Sequence, residues 1–218
     1  TAIKSVAGSG KTTTLLELAK IHKKKRILYL AFNKNLITEI QDKLKTQKIT
    51  NMYPRTFDSL MRSIYTEQKG NPQQIDDLRP NTLHLKVSWF QGKNWRIKKQ
   101  CIDYLTKFCR QVEFTDIEEY CKDRFGKSMP LLKMIWQKVV ASYIVTFDSI
   151  RKLVHIHKWA REYIRRNYDM IFIDEAQEKN NKSIYSTKEI SIGLQNEEKT
   201  LILKLHDILN LIYIKLLD

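Results

Sequence analysis

The sequence predicts an α/β protein in which a parallel sheet is interrupted by a mainly helical insertion. Three observations carry that expectation. Short β-rich runs alternate with helical stripes over the first 60 residues, long helical patterns rich in tryptophan and lysine follow, and an apolar strand pattern returns at Met170-Ile171-Phe172-Ile173. Alternation of strand and helix is what helices packed on a parallel sheet require.

The elements follow in order. Ile3-Lys4-Ser5-Val6 is a short strand pattern stopped by Ala7-Gly8-Ser9-Gly10, and from Thr13 to Lys25 Leu15, Leu16, Leu18 and Ala19 recur at helical spacing. Ile27-Leu28-Tyr29-Leu30-Ala31-Phe32 is a continuous apolar run, suited to a parallel strand buried on both faces. Leu36, Ile37, Ile40 and Leu44 then mark the apolar stripe of a second helix. Residues 61–165 form the insertion, with turn signals at Gly70-Asn71-Pro72, Arg79-Pro80 and Gly126 to Pro130. The expected organisation is therefore a core built from 1–60 and 166–178, the helical insertion 61–165, and an atypical tail 179–218. From Lys179 to Asp218 the chain has no Ala, Val, Arg, Phe, Trp, Pro, Cys or Met, although Leu201 to Leu217 can still form an amphipathic helix.

The 218 residues are 42% hydrophobic and 29% charged, which excludes collagen-like, low-complexity and wholly disordered classes. The net charge of +15 points to a nucleic-acid partner. The excess is uneven: +8 over residues 1–60, +9 over 61–165 and −2 over 166–218. Cys101, Cys109 and Cys121 are odd in number and form no CxxC pair, which argues against a disulfide framework or a zinc knuckle. The chain opens on Thr1 with no signal-peptide pattern and has no run of 18 uncharged apolar residues. An intracellular setting, cytoplasm or nucleus, without membrane attachment, is the expectation.

Two constellations carry chemistry. Ala7-Gly8-Ser9-Gly10-Lys11-Thr12, between a strand and a helix, has the composition of a phosphate-binding loop. Gly8 and Gly10 let backbone N–H groups turn inward around phosphate oxygens, and the helix start adds its positive dipole end. Lys11 suits the β- and γ-phosphates of a nucleotide such as ATP, the Thr12 hydroxyl suits Mg²⁺, and Thr13 completes the loop. Ser5 stands where the strict GxxxxGK[ST] pattern has glycine, so the pattern is relaxed. The second constellation is Asp174-Glu175-Ala176-Gln177 after an apolar strand. Asp174 can hold the magnesium and Glu175 can polarise an attacking water.

Together these motifs resemble superfamily 1 DNA helicases of the UvrD/Rep type. The resemblance rests on Val6 to Thr14 as motif I, Ala31-Phe32-Asn33-Lys34 as motif Ia, Arg55-Thr56-Phe57-Asp58-Ser59-Leu60 as motif Ib and Asp174-Glu175-Ala176-Gln177 as motif II, in family order. The Phe-Asn-Lys form of motif Ia and the insertion between Ib and II are closer to the F-box DNA helicase branch and its viral and phage relatives. It implies a RecA-like P-loop core, a 1B-like insertion, ATP and Mg²⁺ as cofactors, and single-stranded DNA or DNA junctions as partner. It also implies that Gln177 senses the γ-phosphate, with Lys11, Asp174 and Glu175 catalytic, and that Phe32, Asn33, Lys34, Thr56, Phe57 and Ser59 lie on the DNA path. Phe32 is equally readable as a core aromatic. Asp58 replaces the usual histidine of motif Ib and is placed instead as a helix N-cap.

The family's second RecA-like domain, motifs IV to VI and a good motif III have no counterpart, since Gly193-Leu194-Gln195 lacks the expected aspartate. The chain is thus expected to be the N-terminal portion of such a motor, binding nucleotide weakly and lacking rapid hydrolysis or unwinding alone. The composition break at Lys179 fits a frameshift or a divergent tail equally. The alternative is a catalytically idle module that holds single-stranded nucleic acid or a partner through its basic surface. In the insertion, Lys93, Arg96, Lys98 and Lys99 beside Trp89, Phe90 and Trp95 are either such a surface or a solvated face over core tryptophans. His155 and His157 fall on different sides of a helix and receive no role.

Overall fold

The computed structural model describes residues 11–173 other than Phe32. The first strand pattern, Ala7 to Gly10, Phe32, motif II and the tail lie outside them. The chain divides into two compact units, Thr1–Leu60 with Arg161–Asp218, and Met61–Ala160.

The first unit is α/β. Its described elements are α1 (Lys11–Ile21), β1 (Ile27–Ala31), α2 (Lys34–Thr46), β2 (Met52–Thr56) and β3 (Met170–Ile173), with the first residues of α3 (Phe57–Lys69) and the end of α9 (Trp159–Asn167). The strands are all parallel in the order β2-β1-β3. β1 is central and all five of its residues are buried, which is why its sequence is apolar throughout rather than alternating. Leu16 and Ala19 of α1 join Ile37, Ile40 and Leu44 of α2 in one cluster with Ile27, Tyr29, Ala31, Met52 and Phe172.

Sequence patterning missed β2. Its five residues, Met-Tyr-Pro-Arg-Thr, are mostly half-exposed and include a proline. Among the described strands β2 pairs with β1 alone, so Pro54, opposite Tyr29, can sit in a strand that has a free outer edge.

The amino edge of the sheet is tied by two side chains. The Asn51 amide donates to the carbonyls of Ala19, His22 and Lys25 at 3.1, 3.0 and 3.1 Å, while the Asn51 carbonyl accepts from Ile27 N–H at 2.8 Å. Asp169 accepts from the Arg26 N–H at 2.8 Å, donates its own N–H to the Arg26 carbonyl, and sits 3.5 Å from the Arg26 guanidinium. The C-terminal end of α1 is thereby held where β1 and β2 begin. An 11-residue helix and a five-residue strand are both about 16 Å long. Packed on the sheet, α1 therefore runs back until its first turn lies at the level of the strands' carboxyl ends.

The described part of the second unit is helical. The C-terminal part of α3 is followed by α4 (Leu83–Lys86), a 3₁₀ turn at Ser88–Phe90, α5 (Trp95–Arg110), α6 (Ile117–Phe125), α7 (Pro130–Val140), α8 (Phe147–Ile156) and the start of α9. Local chemistry sets the boundaries. Asn94 caps α5 through Arg96 N–H, Asp116 accepts from the N–H groups of Glu118 and Glu119, and Thr146 with Ser149 forms a reciprocal capping box on α8. Gly126, at φ +63°, ends α6, and Pro130 opens α7. The stretch between α3 and α4 is pinned at Asp76, whose carboxylate takes the Val145 N–H at 2.9 Å and the Lys86 ammonium at 2.7 Å.

Phe108 centres this unit. Its ring lies 5.0 Å from Trp136 and 5.4 Å from Tyr120, and the Lys152 ammonium stands 4.2 Å above it. Lys152 is fully buried, and its charge is met by the carbonyls of Gln111 and Phe114 as well as by the Phe108 ring. Cys101, Cys109 and Cys121 are buried and in no disulfide, and burial pushes the thiols of Cys101 and Cys121 above the ordinary range.

Two measurements test this architecture. Asn51→Ala should lower unfolding stability by about 1–3 kcal/mol in urea titrations, because three carbonyls lose one donor group. Asn51→Asp should be worse, since it turns an acceptor toward them. A thiol reagent at neutral pH should leave Cys101 and Cys121 unlabelled in the folded protein and modify all three cysteines in denaturant.

Candidate functional site at the sheet edge

In an open parallel sheet, ligands settle outside the carboxyl ends of the strands, where neighbouring strands are connected in opposite directions. Here β1 leads through α2 to β2 on one side, while its neighbour on the other side, β3, arrives after the whole second unit. Ala31 pairs with Thr56 and Leu30 with Ile173, so the three strands end side by side. The residues that follow them are those of motifs Ia, Ib and II.

After β1, Asn33 is the N-cap of α2. Its side-chain oxygen accepts from Leu36 N–H at 2.8 Å. It is half-buried and part of its hydrogen-bonding capacity belongs to the helix, while Lys34 beside it is exposed. After β2 no loop intervenes, for α3 begins at Phe57 directly after Thr56. The Thr56 hydroxyl accepts from Ser59 N–H at 3.1 Å. The side-chain cap is thus Thr56 and not Asp58, which lies inside the first turn where its charge favours the helix dipole. Ser59 is exposed, whereas Phe57 is only 9% exposed. The Phe57 ring is therefore mostly packed within the fold, while Ser59 stands open beside it.

After β3, Ile173 is the last described residue, and Asp174, Glu175 and Gln177 lie outside the described residues, as do Ala7, Gly8, Ser9, Gly10 and Phe32. Lys11 is the first residue of α1, with Thr12 half-buried and Thr13 exposed in the same turn. The structure thus brings the start of α1, the capped starts of α2 and α3, and the end of β3 to one edge. Backbone N–H groups in a first helical turn lack intrahelical acceptors, so such ends suit anions.

Arg55, at the head of motif Ib, is engaged within the fold. Its guanidinium hydrogen-bonds Tyr168, whose hydroxyl burial pushes above the ordinary phenol range while the Arg55 charge pulls the other way. Among the described residues no group of three His, Cys, Asp or Glu side chains is placed to hold a metal ion. His155 meets the Val112 carbonyl at 3.2 Å, and His157 stacks on Trp159 with centroids 4.7 Å apart.

In the second unit the tryptophans divide in a way sequence alone left open. Trp136 is 8% exposed and packs on Phe108, but Trp89 and Trp95 are 44% and 51% exposed. They are not core residues. No helix among the described residues is long and apolar enough to cross a membrane.

Comparison with known proteins finds a distant relative in sequence. The chain is 24% identical to F-box DNA helicase protein 1 of Schizosaccharomyces pombe over 202 residues, covering 81% of this chain and 22% of that protein. The chain therefore spans about a fifth of the relative's length. No family model and no solved structure matches it. What these findings show is an α/β chain with a small parallel sheet and a distant likeness to a DNA helicase.

Proposed function

We propose that the chain is the N-terminal, ATP-binding portion of an intracellular superfamily 1 DNA helicase of the UvrD/Rep type, which couples ATP hydrolysis to movement on single-stranded DNA. In this reading 1–60 and 166–178 belong to a RecA-like core and 61–165 to a 1B-like insertion. The observation that carries the reading is the convergence at the carboxyl edge: the first turn of α1, the starts of α2 and α3, and the end of β3 meet there. The order of motifs I, Ia, Ib and II and the likeness to an F-box DNA helicase support it.

The described residues fit a magnesium nucleotide. The first turn of α1 places a helix N-terminus, an end that suits phosphate oxygens, at this edge, and half-buried Thr12 carries a hydroxyl oxygen of the kind Mg²⁺ takes. Bound Mg·ATP would bring a γ-phosphoryl group open to in-line displacement by water. Around it, Ala7, Gly8, Ser9, Gly10 and Thr13 would bind phosphates through backbone groups, and Lys11 would balance the β- and γ-charge. Thr12 and Asp174 would hold the metal, Glu175 would accept the proton of the attacking water, and Gln177 would link the γ-phosphate to the strand-binding residues. Lys34 and Ser59, exposed at the same edge, would hold DNA backbone phosphates in a manner blind to base sequence.

Titration with a fluorescent ATP analogue tests the reading. The folded chain should bind it in a Mg²⁺-dependent manner, Lys11→Ala should weaken binding by about tenfold or more, and Thr12→Ala should remove most of the Mg²⁺ dependence. A folded chain that binds no nucleotide, or binds it equally after Lys11→Ala, would sink the proposal.

A further inference from the structure

The segment from Leu78 to Ile102 contains no aspartate or glutamate, yet holds Arg79, Lys86, Lys93, Arg96, Lys98 and Lys99. Arg79 and Lys86 are neutralised by Asp77 and Asp76. The other four make no ion pair with any described residue, and three of them are exposed, Lys98 being half-buried. Two indoles stand among them. Trp89 leaves the 3₁₀ turn edge-on to buried Phe90, 5.7 Å away, which anchors the turn while its neighbour stays in solvent. Trp95 opens α5, where Asn94 fixes the helix start. The Lys93 ammonium lies 4.1 Å from the Trp89 ring centre and the Lys99 ammonium 5.3 Å from that of Trp95.

Each indole thus carries its own cation, and each remains about half open to solvent. Exposing two tryptophans costs hydrophobic free energy that the turn could avoid with polar residues, so the pair asks for a partner. The partner must be anionic, because four cations of this segment lie outside any ion pair with a described residue and the segment itself holds no acid, the next being Asp103 further along α5. It must also offer flat apolar faces at short intervals along the anion. A duplex hides its bases from an indole in a stack, whereas a single strand presents both base faces and phosphates. The indoles are six positions apart, and the chain turns between them at Gly92, φ +69°, so they lie well within the extended limit of about 20 Å.

We propose that Trp89 and Trp95, with Lys93, Arg96, Lys98 and Lys99, form a stacking platform for single-stranded nucleic acid on the helical unit. A base stacked on either indole brings its phosphate within reach of the lysine already beside that ring. The platform acts without nucleotide and does not depend on the reading of the sheet edge.

The test is fluorescence anisotropy of labelled oligo(dT) and oligo(rU) with the whole chain, in the absence of ATP. Binding should quench tryptophan emission, and four cations give a slope of log affinity on log salt of about −2.8. Trp89→Ala and Trp95→Ala should each weaken binding about tenfold, and Trp→Phe at both positions should restore most of it. Lys98→Ala with Lys99→Ala should reduce the slope by about 1.4, while Lys23→Ala with Lys24→Ala should change affinity little. An unchanged affinity in the doubly substituted Trp→Ala protein, shown folded by its thermal melt, overturns the proposal. So does equal binding of duplex DNA without quenching, or an equal loss from the Lys23 and Lys24 pair, either of which would mark general charge attraction.

Discussion

Everything described in the α/β unit depends on one strand being buried from end to end. β1 has a parallel neighbour on each side and helices α1 and α2 contributing to its cover, so any polar group on a residue from Ile27 to Ala31 must find its partner inside the fold. That constraint fixes register as well. Met52 and Met170 both pair with Ile27 at the amino ends, and the strands consequently finish together. The Asn51 and Asp169 ties act at the opposite edge from the candidate residues. One edge is thus consumed by structural hydrogen bonds, which leaves the other for ligands.

The helical unit solves a different problem, how to hold a basic chain together. Lys152 shows the solution most clearly, since a buried ammonium is tolerable only when carbonyls and an aromatic face replace its water. By tying Gln111 and Phe114 to α8 it orders the turn between α5 and α6 without any carboxylate. Elsewhere the unit relies on capping side chains, on the aromatic cluster around Phe108 and on ion pairs such as Arg110 with Asp148 and Arg124 with Glu113.

What the sequence disclosed follows from the strength of each signal. The β1 run and the Leu36, Ile37, Ile40, Leu44 stripe were legible because burial on both faces, or on one helical face, leaves an unambiguous period. β2 was not, because a half-exposed edge strand bearing Pro54 and Arg55 has neither alternation nor an apolar run. At residues 55–60 the cap falls two positions earlier than expected: Thr56 ends the strand and caps the helix, work that the sequence reading assigned to Asp58. Phe57 and Trp95 show the same limit from opposite sides. Both are aromatics beside charged or polar residues, yet one is packed away and the other stands in solvent. Local sequence does not encode which face the rest of the chain will cover.

The junction at Thr56 and Phe57 has no slack, since the strand's last residue is also the helix's cap. A single residue inserted there would advance α3 by about 100° around its axis. Buried Leu60, the last residue of α3 in the first unit, would be carried out of its place. The stretch from Asn71 to Leu78, tethered mainly through Asp76, could lengthen on either side of that tether with little cost. Length variation among homologous chains should therefore collect before α4 and be absent between β2 and α3, leaving the strand-to-helix step as a fixed point for aligning distant sequences.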